Sequence, residues 1–326
     1  MIRRPAIFAA ALALVFLHGA SSTAEAQTYP NRPVKIIVPT PAGGPVDVMA
    51  RLVANHLSPA LGQSVFIDNR GGAANTLGSA EAARATPDGY TLLYSSASGL
   101  VIAPMLQKNA GYDPLKSYDP VAIVAATSNI LVVHPSLPAR SVAELVAYAK
   151  ANPGKINFSS GGIGTLPHLI GEYFKATAGI DVVHVPYRGG GPSIQDVVAG
   201  NIQFTFEGIS VLLPLIQDGR LRALAVTSPK RSPLLPALPT MIESGFADFQ
   251  STSWTGLLAP HGTPPDIIAK LNGAVNGALQ TAEMKAALDK LAGEGLGGAP
   301  AELTKVIEAD IGKWGPIVKA LKLQTD

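Results

Sequence analysis

The chain has 326 residues, of which 47% are hydrophobic, 6% aromatic and 15% charged, with a formal net charge of +2. So little charge on so apolar a chain excludes intrinsic disorder as the main state, and near-neutrality gives no electrostatic basis for a nucleic-acid partner. With no cysteine, disulfides, thiolate metal sites, cysteine nucleophiles and acylation at an N-terminal cysteine are excluded.

In chain order, Arg3 and Arg4 precede an apolar run over residues 5–17, followed by small residues ending Ala24-Glu25-Ala26. This is the layout of an export signal, expected to be cleaved after Ala26; the run is shorter than the about 20 residues a bilayer crossing needs. It contributes to the positive mean hydropathy of +0.25, and a periplasmic, soluble mature chain is expected. A short buried strand is predicted at 34–38, then a helix over 46–61 whose apolar face is Val46, Met49, Ala50, Val53, Leu57 and Leu61. Further strands are predicted at 64–68, 90–94, 121–124 and 130–133, with a helix at 77–85. Ser141 with Glu144 forms a capping box for a helix at 142–151. Strands at 155–159, 182–185, 202–206, 221–226 and 254–258 alternate with helices at 166–178, 193–199, 211–217, 266–279, 282–291 and 302–321. The proline-rich stretch 229–239 reads as a surface excursion. This alternation predicts an α/β fold with parallel sheets covered on both faces, the strands divided over two sheets.

Two loops at strand ends stand out. In Pro39-Thr40-Pro41-Ala42-Gly43-Gly44-Pro45 and in Gly161-Gly162-Ile163-Gly164-Thr165, the glycines let backbone approach a ligand. Each loop opens a helix whose free N–H groups favour an anion. Two such ends would clamp a carboxylate or dicarboxylate; both loops also fit plain tight strand-to-helix turns. Asp47 reads as a dipole partner or backbone cap ahead of a ligand contact. His168, the one histidine beside a candidate site, reads as a satisfied structural histidine ahead of a loop or ligand hydrogen-bond partner. Ser160, with Ser159, is weighed and set aside as a nucleophile paired with His168. Glu207, at a strand end, reads equally as a solvated carboxylate and as an acceptor from a ligand ammonium, a protonated carboxyl or water. Tyr187-Arg188-Gly189 follows another strand, and Arg188 reads as solvated ahead of a bidentate carboxylate contact. No G-x-x-x-x-G-K-[ST], G-x-S-x-G or H-E-x-x-H occurs, so no nucleotide, cofactor, metal or catalytic centre is expected.

The sequence resembles the Bug family, the extracytoplasmic solute receptors of tripartite tricarboxylate transporters. The resemblance is carried by Tyr29-Pro30 with Pro33-Val34, Pro39 through Asp47 with Ala50-Arg51, Asp68-Asn69-Arg70, Pro87 through Leu93, Tyr112-Asp113-Pro114, Gly164-Thr165 with His168-Leu169, Val183 through Tyr187, Leu221 through Thr227, and Trp254 through Pro260. It implies a type II periplasmic binding protein: two doubly wound α/β domains, 27–127 plus 227–326 and 128–226, closing by a hinge on a ligand in the cleft between them. It also implies a non-enzymatic, monomeric receptor that delivers an organic acid to the large and small membrane subunits. The implied ligand groups are Thr40, Ala42, Gly43, Gly44 and Asp47; Ser95, Ser96 and Ser98; Ser160, Gly161, Gly164, Thr165 and His168; Tyr187; and Glu207. A receptor for a membrane signalling protein is the alternative, and an exported hydrolase a more distant one. The chain departs from the family in having Thr40 for an aromatic residue, Glu207-Gly208 for Asp-Asn, and Ser159-Ser160-Gly161 for Ser-Ala-Gly. The smaller Thr40 and Gly208 predict a roomier, less aromatic pocket.

Overall fold

Strand β1 (Val34–Val38) is flanked in parallel by β2 (Val65–Asn69) and β3 (Thr91–Ser96). The computed structural model describes residues 29–72, 75–291 and 293–323; the expected export signal lies outside the described residues. Helix α1 (Pro45–Leu61) covers this sheet with Met49, Ala50, Val53, Leu57 and Leu61, the buried members of the predicted face. It stops at Gly62, whose φ of +69° suits a residue without a Cβ. Helix α2 (Thr76–Ala83) connects β2 to β3. After β3 come a wide helical turn, Ser98–Ile102, and the short α3 (Ala103–Leu106).

The two strands predicted at 121–124 and 130–133 are one strand, β4 (Tyr118–Val133), of 16 residues. Its middle, Ala126-Thr127-Ser128-Asn129, breaks the apolar run, so the sequence reads as a gap. The chain stays extended there because β9 (Thr252–Pro260) pairs with it antiparallel through Ser128↔Thr252, and β7 (Phe204–Gly208) takes over at Asn129↔Gly208. The first half of β4 belongs to one sheet and the second half to another.

The second sheet continues from β7 to β5 (Asn157–Ser160) and β6 (Val183–Pro186), parallel to one another. Helix α4 (Val142–Ala151) lies between β4 and β5 in the chain, α5 (Leu166–Ala178) between β5 and β6, and α6 (Gly190–Val198) between β6 and β7. Helix α7 (Ile209–Gln217) leads to β8 (Arg222–Val226), antiparallel to β4. Ser141 accepts from the Glu144 amide and Glu144 from the Arg140 amide, so the predicted capping site forms. After β9 come α8 (Pro265–Gln280), α9 (Ala282–Lys290), β10 (Gly293–Gly295) on the edge of β4, and α10 (Pro300–Ala320).

The prediction of parallel sheets is therefore corrected. Parallel strands form the outer parts of both sheets, while β4, β8, β9 and β10 pair antiparallel where the sheets meet. Period-2 patterning does not report strand direction. Each sheet carries its own core. One is built on Val34, Ile36, Val53, Leu57, Leu92 and Leu271, the other on Leu131, Phe158, Phe174, Phe204 and Phe206. Helix α10 reaches both: Leu303 and Ile307 pack with Ile37, Leu93 and Trp254, whereas Trp314 and Val318 pack with Phe174 and Phe249. Its 21 residues span about 30 Å. No helix among the described residues is long and apolar enough to cross a membrane.

Candidate ligand-binding cleft

All the predicted site residues lie at the carboxyl ends of parallel strands or in the segments that follow them, where open α/β sheets bind ligands. In the first lobe, the loop after β1 is held by Asp47, which is buried on the first turn of α1. Its Oδ2 accepts from the Gly43 amide at 2.8 Å and from Arg51 Nε at 3.0 Å; its Oδ1 accepts from Asn69 Nδ2 at 2.9 Å. Asn69 Nδ2 also donates to the Thr40 carbonyl, tying β2 to the loop. Burial opposes ionisation of Asp47, but hydrogen bonds from Arg51, the Gly43 amide and Asn69 outweigh it and hold the carboxyl below its ordinary range. Gly43 sits at φ +85°, a conformation that favours glycine. Ala42 and Gly43 are exposed and Gly44 partly so. Ser95, Ser96 and Ser98 follow at the end of β3, with Ser95 fully buried.

In the second lobe, the loop after β5 is braced by Ser160 and His168. Ser160 Oγ donates to the Gly162 carbonyl at 3.1 Å, lies 3.2 Å from the Gly162 amide and meets His184 Nε2 at 2.7 Å. The Gly164 amide donates to His168 Nδ1 at 3.1 Å. Thr165 occupies the N-cap of α5, but its hydroxyl donates backwards to the Gly162 carbonyl instead of capping a helical amide. The His168 and His184 rings stack with centroids 4.0 Å apart. Burial lowers His168 to about 4; burial, reinforced by His168 and Lys175, lowers His184 to about 3, so both imidazoles are neutral near pH 7.

The neighbouring loop joins this one through backbone: the Tyr187 amide donates to the Ser160 carbonyl and the Gly189 amide to the Gly161 carbonyl. The Tyr187 hydroxyl donates to Asp196, which ties the ring to α6. Between the lobes, Leu106 of α3 reaches the second loop so closely that a Cβ on Gly164 would lie 2.3 Å from its Cδ1. None of the helices α1, α2, α5, α6 and α7, which start at these strand ends, has a side-chain cap.

A profile described as "Tripartite tricarboxylate transporter family receptor" (TctC) matches residues 49–323. The chain belongs to this family. It is 37% identical to protein BugT of Bordetella pertussis over 305 residues, which is 92% of this chain and 93% of that one. Among solved structures it is similar to Rpa4515 of Rhodopseudomonas palustris with adipate (35% identity, TM-score 0.76, 89% of this chain and 97% of that one). It is similar also to MatC of the same organism with bound malate (31% identity, TM-score 0.73, 89% and 100%). The receptor is thus a two-domain α/β solute-binding protein of the periplasmic Bug type and not an enzyme.

Sequence reasoning missed one member of the site. His168 is not the one histidine beside the loops, and the histidine bonded to Ser160 is His184. In sequence His184 sits inside the alternating Val183-His184-Val185 and reads as an ordinary strand residue. It reaches the loop because β6 pairs with β5 in the register Phe158↔His184. Asn69 and Gly190 were likewise unmarked as site neighbours. Three buried polar atoms at the receptor's strand ends have no hydrogen-bond partner among the described residues: Thr40 Oγ1, Ser95 Oγ and Glu207 Oε1. Burial pushes the Glu207 carboxyl up to about 7 against the opposing Gly208 amide.

Proposed function

We propose that the receptor captures an organic acid in the cleft between its lobes, closes on it by a hinge motion, and delivers it to the large and small membrane subunits of a tripartite tricarboxylate-type transporter. The observation that carries this reading is the pair of glycine loops, each held in shape by its own side chains and each opening a helix without a side-chain cap. Uncapped helix N-termini favour negative charge, and a preformed backbone cradle lowers the ordering cost of binding. The carboxylate class is supported by the adipate and malate in the two related structures. On this reading Thr40, Ala42, Gly43, Gly44, Gly161, Gly164 and Thr165 present backbone to the ligand, and Asp47 and His168 hold that backbone in place. Ser95, Ser96, Ser98, Ser160, Tyr187 and Glu207 line the cleft. The chain acts as a monomer in the periplasm after cleavage following Ala26, with domains 27–127 plus 227–326 and 128–226.

The test is a thermal-shift and calorimetric screen of the mature chain against mono- and dicarboxylates. A true ligand at 100 times its dissociation constant adds roughly 2.7 kcal/mol of stability. Silence from every carboxylate, with a response to a sugar or a simple cation, would sink the reading. Delivery is tested by uptake of the identified acid in cells carrying the membrane subunits, with and without this chain.

A further inference from the structure

We propose that Glu207 reads the second end of the ligand, so that the cleft takes a carboxylate that also bears an ammonium group. This rests on the carboxylate-receptor reading above and narrows its substrate class.

Glu207 stands at the end of β7, on the same edge of the second sheet as Ser160 and Tyr187. A Cβ on Gly190 would lie 3.4 Å from its Oε1, and a Cβ on Gly161 would lie 3.0 Å from the Gly190 nitrogen. The carboxyl group is therefore next to the glycine loop that opens α5. Asp47, the acid of the opposite lobe, is satisfied by three donors within the protein. Glu207 is not: Oε1 is buried and unpartnered. The influences on the carboxyl are burial and the Gly208 amide, with no cation among them. Oε1 also accepts no bond from the adjacent α6.

A carboxylate with one oxygen buried and unpartnered is costly to the fold, because the hydration lost at that atom is not replaced. A ligand ammonium would replace it with a charge-assisted hydrogen bond. A second ligand carboxylate would instead meet like charge, and one of the two groups would have to take up a proton. The rest of the cleft has the opposite character. The uncapped starts of α1 and α5 offer backbone donors to an anion. Donors over most of the cleft and one buried acceptor beside the second loop complement a zwitterion better than a dianion.

The experiment is calorimetry on the mature chain near pH 8, in sets of matched length: γ-aminobutyrate against butyrate and succinate, and ε-aminocaproate against caproate and adipate, with α-amino acids and their deaminated analogues alongside. In at least one set the ammonium ligand is expected to bind about tenfold or more tighter than both partners, and Glu207→Gln should abolish that preference. Tighter binding of the dicarboxylate, or a preference that survives Glu207→Gln, would overturn the proposal while leaving the carboxylate reading intact. If no carboxylate of any kind binds, the underlying reading fails and this one with it. The ligand-free melting temperature of Glu207→Gln at the same pH should equal or exceed that of the wild type. A clear drop would mean that the carboxylate serves the fold, which also refutes the proposal.

Discussion

Replacing Asp47 with alanine tests whether the first loop is built or merely present. The substitution strands the Gly43 amide and Asn69 Nδ2, each at about 1 kcal/mol for the lost acceptor. The ion pair with Arg51, whose side chain is 49% exposed, adds no more than about 0.5 kcal/mol. Loss of a negative charge from the first turn of α1 adds about 0.5 kcal/mol. The sum is about 3 kcal/mol, or about 5–10 °C in Tm for a chain of this size. The loss should carry a pH signature. The Asp47 carboxyl lies below its ordinary value in the folded state, so the unfolded chain takes up its proton first. The stabilisation is full above the unfolded-state pKa and disappears as pH falls through the folded one. Urea melts of wild type and Asp47→Ala should therefore differ most near neutrality and converge in acid. A difference under about 0.5 kcal/mol at neutral pH, or one that does not shrink in acid, would refute the argument.

Further outcomes follow from other contacts. His168 and His184 are held neutral, so the unfolded chain protonates first below the ordinary value of 6.5; each should remove up to about 1.4 kcal/mol per pH unit as pH falls from there towards about 4, and His184→Gln should flatten that slope in urea melts. Gly164→Ala forces a Cβ onto Leu106 and a side chain onto φ +79°, with an expected loss of about 1–3 kcal/mol; adding Leu106→Ala should return the steric part, and strict additivity in the double-mutant cycle would count against the contact. Trp314→Ala removes the largest anchor of α10 in the second lobe and should cost about 3–5 kcal/mol by calorimetric melting.

Much of the fold follows from local patterning. The α1 face and the Ser141 cap each need only a few neighbouring residues, and both form where the sequence places them. What escaped depends on distant chain. The middle of β4 is polar and small, and only its pairing with β9 and β7 makes it a strand. Gly293-Glu294-Gly295 has no strand propensity and becomes β10 because the edge of β4 is there to receive it. At the site, the Asp47–Gly43 bond joins residues four apart and is foreseeable from the helix start. The Ser160–His184 bond spans 24 positions and depends on a strand register that no local pattern encodes. The isolation of Glu207 is a statement about what surrounds it, which a linear sequence cannot supply.

The continuity of β4 has a mechanical consequence. Two bodies joined by flexible loops swing freely, but here one extended ribbon belongs to both sheets. On the hinge reading proposed above, a rotation of one lobe against the other would twist β4 over Ala126 to Asn129, against the ladders on either side. Such a ribbon behaves as a spring with a rest angle. The angle between the lobes would then depend on backbone stiffness at four small or polar residues, Ala126 to Asn129.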